Sequence, residues 1–305
     1  MKKDLLSIGD LSLFEIEAIL KVSAQLKKNK NKFSRVLAGK TLALIFQKPS
    51  NRTRVSFEVG MYQLGGNALY LSPQEINLGV RESIADVAKT LSRFVDGIVL
   101  RTFEHKNCQE MASFATVPVI NGLSDFSHPC QALADLFTIK ERYNSLKGIT
   151  LAYVGDGNNV CNSLIFAAAK CGMHINVATP AGYQPAQEVV REALEIASET
   201  GSLIKIGNDP FALVRSANVI YTDVWASMGQ EDEIQKRKEI FKGFQINAKL
   251  LNAAGKDCLV MHCLPAHRGE EITNDVMDSR NSIVFDQAEN RMHVQKAILI
   301  KLLKH

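Results

Sequence analysis

The sequence predicts an α/β protein built from two doubly wound parallel sheets, one in each half of the chain. Three observations carry that expectation. Short β-branched runs alternate with segments of helical period, the links between them are short, and the alternation restarts after Gly148. A chain of 305 residues is long enough for two domains, each with its own core.

Taken in order, Ser12-Leu-Phe-Glu15 is a capping box opening a first helix, with Leu13, Ile16 and Leu20 near one face. Strands are expected at Leu42–Phe46, Ala68–Leu71, Gly97–Leu100 and Val117–Ile120. Helices fall among them at Val55–Leu64, at Ile84–Phe94 behind Ser83 and Asp86, and at Cys108–Phe114. A longer helix from Pro129 to Tyr143 ends the first half, and Asn144–Gly148 reads as a linker. The second half opens with a strand at Ile149–Val154, a loop through Asn159 and a helix through Cys171. Further strands are expected at Ile175–Ala178, Leu203–Ile206, Val219–Tyr221, Cys258–His262 and Ile283–Phe285. The last helix, Gln287 to Leu303, carries Val294, Ala297, Ile298 and Leu302 on one apolar face. Ligands in such sheets bind beyond the carboxyl ends of the strands.

Composition narrows the function classes. Hydrophobic content of 46% and charged content of 22% are ordinary for a soluble globular protein. Net charge is 36 − 32 = +4, and Lys27, Lys28, Lys30 and Lys32 read as a solvated helix end, so no nucleic-acid partner is expected. No apolar run approaches a membrane span, and the N-terminus lacks a signal-peptide core. The six cysteines form no CxxC pair and read as reduced thiols of a cytoplasmic protein.

The richest chemistry lies in Ser50-Asn51-Arg52-Thr53-Arg54, set between a strand and a helix. Unpartnered N–H groups and the dipole of a helix start attract negative charge, and guanidinium groups clamp phosphate or carboxylate oxygens in pairs. Lys48 and Pro49 add a charge and a stiff turn just before it. Arg101 leaves the end of another strand, and His128 precedes Pro129, a favoured first helical residue, with Gln131 one turn on. Arg101, His128 and Gln131 together suit an oxygen that becomes negative during a reaction.

In the second half, Gly155-Asp-Gly157-Asn-Asn159-Val160 departs from the dinucleotide fingerprint, because Val160 stands where the third glycine belongs. No acidic residue ends the following strand, so a nicotinamide cofactor is not expected. Asn159 offers an amide to a small polar ligand, Asp223 can pair an ammonium group, and Ser227 can complete a polar pocket. Trp225, the single tryptophan, reads as an apolar lid over the domain edge. Cys258, His262, Cys263 and His267 fit no common zinc spacing, so no metal is expected. Leu264-Pro265 imposes an extended or turned backbone able to present carbonyl groups to an amine.

Together these pieces resemble the ornithine branch of the aspartate/ornithine carbamoyltransferase family, from the first helix to the last. The family's carbamoyl-phosphate motif is Ser50-Asn-Arg-Thr53, its His-Pro-x-Gln motif is His128 to Gln131, and its Asp-x-x-x-Ser-Met-Gly motif is Asp223 to Gly229. His262-Cys-Leu-Pro265 and Asn290-Arg291 complete the set. The Ser-Met-Gly and His-Cys-Leu-Pro pieces mark the ornithine type; the first two are shared with the aspartate type.

The resemblance implies a carbamoyl-phosphate domain over 1–145, an ornithine domain over 149–286, and a C-terminal helix over 287–305 that packs back on the first domain. It implies that Ser50, Asn51, Arg52, Thr53, Arg101, His128, Gln131, Cys263, Leu264 and Arg291 hold carbamoyl phosphate, with Cys263 and Leu264 also beside the attacking amine. Asn159, Asp223, Ser227 and Met228 would bind ornithine, and Arg101, His128, Cys263 and Asp223 would carry the catalysis. Family members are trimers or assemblies of trimers with shared active sites, and Asn77 occupies the position of the neighbouring subunit's contact, usually glutamine. Asn51 replaces the usual threonine; both substitutions keep a hydrogen-bonding side chain. The implied reaction is transfer of a carbamoyl group from carbamoyl phosphate to the δ-amine of L-ornithine, giving citrulline and phosphate in arginine metabolism, with no cofactor. The alternative acceptors are putrescine, an acylated ornithine or aspartate.

Overall fold

The computed structural model describes residues 4–29, 33–226 and 231–304. They form two compact units, Met1–Phe137 with Glu289–His305, and Thr138–Ala288. The chain passes from one unit to the other inside the helices Pro129–Tyr143 and Val284–Leu303.

The first unit holds strands β1 (Thr41–Phe46), β2 (Asn67–Leu71), β3 (Gly97–Arg101) and β4 (Val119–Leu123), in the order β2-β1-β3-β4. The second holds β5 (Thr150–Val154), β6 (His174–Ala178), β7 (Ile204–Gly207), β8 (Val219–Thr222) and β9 (Leu259–His262), in the order β7-β6-β5-β8-β9. All these pairings are parallel, as expected for strands joined through helices. Strand order reverses beside β1 and β3 in the first sheet, and beside β5 and β8 in the second. Those are the two topological switch points, where a crevice opens past the strand ends.

Local chemistry explains why these segments form where they do. Leu42 to Phe46 are all buried, the near-continuous apolar run of a strand covered on both faces. The helix Leu13–Lys28 is opened by the expected box: Ser12 Oγ accepts from Glu15 N at 3.2 Å, and Glu15 Oε2 accepts from Ser12 N at 2.8 Å. Its inner face is Ile16, Ile19, Leu20 and Leu26, whereas Leu13 is 45% exposed, because the first turn projects past the packed surface. The next helix starts at Asn51, four residues before the expected Val55, because Ser50 caps it through Thr53 N at 3.4 Å. Arg52 and Thr53 therefore belong to its first turn.

Other boundaries also differ from expectation. The fourth strand is Val119–Leu123, not Val117–Ile120, since Pro118 has no N–H for the ladder and contributes only its carbonyl, to Ile98 N at 2.9 Å. Ile283–Phe285 is not a strand. Ser282 bridges to Val260 and Ile283 N donates to Val260 O at 3.0 Å, but Ile283 O already accepts from Gln287 N at 2.9 Å, and the helix begins at Val284. The backbone turns helical one residue past the bridge. The helix entered by Ser83 likewise ends early, at Leu91, leaving Phe94 72% exposed.

Each unit has its own core. Ile45, Ile98, Leu100, Val87 and Met111 pack together in the first. In the second, Trp225 stacks on Phe241 with ring centroids 5.9 Å apart, and Phe241 meets Tyr183 edge-on at 4.9 Å. Full burial of one such aromatic or aliphatic side chain is worth about 1.5–3 kcal/mol. Val294, Ala297, Ile298 and Leu302 form the buried stripe of the last helix and pack within the first unit. Among the described residues no helix is long and apolar enough to cross a membrane.

Candidate active site

At the switch point of the first sheet, β1 runs into Gln47, whose N–H donates to Arg101 O at 2.8 Å and ties the exits of β1 and β3 together. Lys48 is buried with Nζ 4.1 Å from the centre of the Phe103 ring, a cation–π contact that keeps the ammonium group inside the turn. Ser50 then caps the helix Asn51–Gln63. Asn51 and Arg52 are exposed on its first turn, while Thr53 points inward and is 2% exposed.

Thr53 enters a network drawn from three distant segments. Arg291 donates through Nη2 to Thr53 Oγ1 at 3.2 Å and through Nη1 to Gln131 Oε1. Gln131 in turn donates through Nε2 to Asp135 Oδ1 at 2.8 Å. His128, buried just before the helix Pro129–Tyr143, is held well below the ordinary imidazole range by burial, then by the charges of Arg291 and Arg101. It is therefore a neutral ring at physiological pH. Arg101 is itself buried at the end of β3. Two guanidinium groups, a helix start and a neutral imidazole suit a dianion next to an oxygen that gains charge. Asn77 stands apart: it is an exposed left-handed residue (φ 39°) ending the helix Pro73–Ile76. No hydrogen bond among the described residues joins it to the Thr53–Gln131–Arg291 network.

The second unit assembles its polar groups at its own switch point, around Asp223, which directly follows β8. The carboxylate is buried. Its Oδ1 accepts from Val224 N at 2.8 Å and from Cys263 Sγ at 2.9 Å, and its Oδ2 accepts from Asn158 Nδ2 at 2.9 Å. Asn159, half-buried, is the first residue of the helix Asn159–Cys171. Beyond β9, Cys263 and Leu264 are partly exposed. Leu264 adopts φ 59°, and its N–H donates to His262 Nδ1 at 2.9 Å. Because Nδ1 accepts, Nε2 carries the proton and donates to Glu271 Oε1 at 3.0 Å, with both side chains fully buried. Asp223, His262 and Cys263 bring ligand-type atoms within 4.8 Å of one another, yet both ring nitrogens of His262 are committed and leave no lone pair for a cation.

Ser227 and Met228 lie outside the described residues, but the chain before and after them is anchored. Arg237 donates to Asp156 Oδ2 at 3.0 Å, to Trp225 O at 2.9 Å and to Glu233 Oε2 at 2.8 Å, and its guanidinium lies over the Tyr183 ring. Burial outweighs the attraction of Arg237 and pushes the Asp156 carboxyl up to about 6. Trp225 is thus a buried residue of the core rather than a lid. The glycine-rich loop has a packing reason for its middle glycine: a Cβ on Gly157 would lie 2.2 Å from Pro185 N.

Sequence reasoning passed over Asn158, Asp156, Arg237 and Glu271. Asn158 sits at the cap position before an expected helix and was open to discovery by that rule. Arg237 and Glu271 each have one partner four positions away, Glu233 and His267 N, but the contacts that tie them to the site, with Asp156 and His262, lie 81 and 9 positions along the chain and leave no local signal.

Comparison with known proteins identifies the family and the fold. Residues 3–141 match the family model described as aspartate/ornithine carbamoyltransferase, carbamoyl-P binding domain, and residues 147–302 match the companion Asp/Orn binding domain. The ornithine carbamoyltransferase of Anoxybacillus flavithermus is 54% identical over 99% of this chain and 96% of its own length. One from Pyrococcus furiosus, described as anabolic, is 55% identical over 97% of this chain and 95% of its own. Among solved structures, ornithine carbamoyltransferase from Pyrococcus furiosus has a TM-score of 0.96 at 54% identity, covering 98% of this chain and 96% of that one. The Thermus thermophilus enzyme has a TM-score of 0.91 at 44% identity, covering 100% of both chains. With both family domains matched in order and the fold shared across the whole length, the chain belongs to the aspartate/ornithine carbamoyltransferase family.

Proposed function

We propose that the protein is a carbamoyltransferase that moves the carbamoyl group of carbamoyl phosphate to the δ-amine of L-ornithine, giving L-citrulline and phosphate in arginine biosynthesis. The observation that carries this reading is the Thr53–Gln131–Arg291 network beside a neutral His128 and a capped helix start. It supplies separate groups for a phosphate and for a carbonyl oxygen. The relatives named above support ornithine as the acceptor.

Carbamoyl phosphate binds first, in the domain spanning 1–145. Ser50, Asn51, Arg52 and Arg101 hold its phosphate, and Thr53, His128, Gln131 and Arg291 surround its carbonyl end. Asn159, Asp223, Ser227 and Met228, in the domain spanning 149–286, bind ornithine, with Cys263 and Leu264 flanking its side chain. The δ-nitrogen attacks the carbonyl carbon. Negative charge gathers on the carbonyl oxygen, stabilised by Thr53, Arg101 and His128, and collapse breaks the bond to phosphate. A free alkyl ammonium has a pKa of about 10, so the attacking amine must first lose a proton. Desolvation beside Cys263 and Asp223 favours the neutral amine, and the departing phosphate accepts a proton. The working form is a cytoplasmic homotrimer, in which Asn77 reaches the carbamoyl phosphate of a neighbouring subunit.

The test is citrulline formation from carbamoyl phosphate and ornithine, with putrescine, N-acetylornithine and aspartate as competing acceptors. Ornithine is expected to be preferred by orders of magnitude. A higher kcat/KM for any other amine overturns the assignment.

A further inference from the structure

The second unit contains a residue that touches no reacting group in the scheme above but holds one that does. Asn158 Oδ1 accepts from Val160 N at 3.0 Å and Cys161 N at 3.1 Å, capping the helix Asn159–Cys171, and from Tyr153 Oη at 3.3 Å. Only an oxygen can face two backbone N–H groups, so the orientation of this amide is fixed by the backbone rather than chosen. Its Nδ2 consequently points at Asp223 Oδ2, 2.9 Å away. The Tyr153 hydroxyl is buried, and burial with nearby acidic groups keeps it protonated as a donor.

We propose that Asn158 is a positioning residue: it couples the start of the helix Asn159–Cys171 to the Asp223 carboxylate and so sets the orientation in which Asp223 meets the ammonium group of the amino-acid substrate. This rests on the reading of Asp223 as an ornithine ligand. The physical case is one of bond counting. Oδ1 of Asp223 is saturated by Val224 N and Cys263 Sγ, and those two donors leave the carboxyl plane free to tilt about the Oδ1 side. The Asn158 amide fixes Oδ2, leaving one defined lone-pair direction for a cation. A charge-assisted hydrogen bond of this kind is also stronger than a neutral one. The same side chain caps the helix whose first residue is Asn159, so one amide registers two of the proposed substrate-binding residues against each other.

Two variants separate positioning from capping. Aspartate and serine cap helices about as well as asparagine. Asn158→Ser keeps the cap and removes the donor; Asn158→Asp keeps cap and shape but sets a second carboxyl against Asp223. Steady-state kinetics with each substrate varied in turn are expected to show kcat/KM for ornithine down about 10- to 100-fold in Asn158→Ser and further in Asn158→Asp. KM for carbamoyl phosphate should stay within about twofold, and thermal unfolding should be little changed. In an Asp223→Asn background, Asn158→Ser should add little further loss, because a residue acting through Asp223 cannot act twice. Wild-type ornithine kinetics in Asn158→Ser, an equal loss for both substrates, or fully additive losses in the double variant each overturn the proposal. Wild-type enzyme that forms no citrulline would overturn the functional reading instead, a result visible before any variant is made.

Discussion

Arg52→Ala tests the phosphate assignment most directly, because its expected effects on activity and stability are far apart. Arg52 is exposed in the first turn of the helix Asn51–Gln63. Arginine and alanine have similar, favourable helix propensities, so truncation should change stability by no more than about 0.5 kcal/mol. For a chain of this size that is a shift in Tm of about 1–2 °C. The catalytic effect should be much larger. Phosphate leaves as a dianion at a helix start, and loss of one preorganised donor to developing charge typically costs about 10²–10³ in turnover, or about 2.7–4 kcal/mol of barrier. The assay pairs citrulline formation at varied carbamoyl phosphate with a thermal melt on the same preparation. Turnover of Arg52→Ala within about threefold of wild type would refute the placing of phosphate at this helix start. A fall in activity matched by a fall in Tm would refute the claim that the side chain is free of structural duty.

Two other expectations follow from the ionisation of buried groups. His128 is held well below its ordinary pKa of 6.5, so the folded protein keeps it neutral while the unfolded chain protonates it. Its contribution to stability is thus complete above pH 6.5 and is lost as pH falls toward the depressed value, by up to about 1.4 kcal/mol per pH unit. His128→Gln should remove that slope from denaturant unfolding measured between pH 7 and pH 5; identical slopes would refute the burial of a neutral ring. Burial pushes the thiols of Cys130 and Cys258 up to about 12, whereas Cys263 is partly exposed. Brief iodoacetamide treatment of the native protein at pH 8 should therefore label Cys263 first by peptide mass mapping, and comparable labelling of Cys130 or Cys258 would count against the structure.

What could be read in advance had a short physical range. Ser12, Ser50 and Ser83 cap helices through residues three positions on, so their roles were visible in a window of a few residues, although the helix after Ser50 was expected to begin four residues late. Leu42–Phe46 reads as a buried strand because its own side chains are apolar. Ile283–Phe285 misled for the same reason. An apolar β-branched pair looks like a strand in isolation, but a single bridge to Val260 ends where the helix begins. Leu13 was misplaced because periodicity reports which face is apolar and not how far the core extends.

The sequence by itself determined the fold class, the division into two parallel sheets and the kinds of group available for chemistry, because propensity, capping and side-chain type are properties of residues and their near neighbours. Only the tertiary structure decided which of those groups act together. Arg291 meets Thr53 across 238 positions and Gln131 across 160, and Asn158 meets Asp223 across 65. Strand order sets those meetings, and so does the burial that keeps His128 neutral: both depend on how distant segments pack, which no short stretch of chain contains.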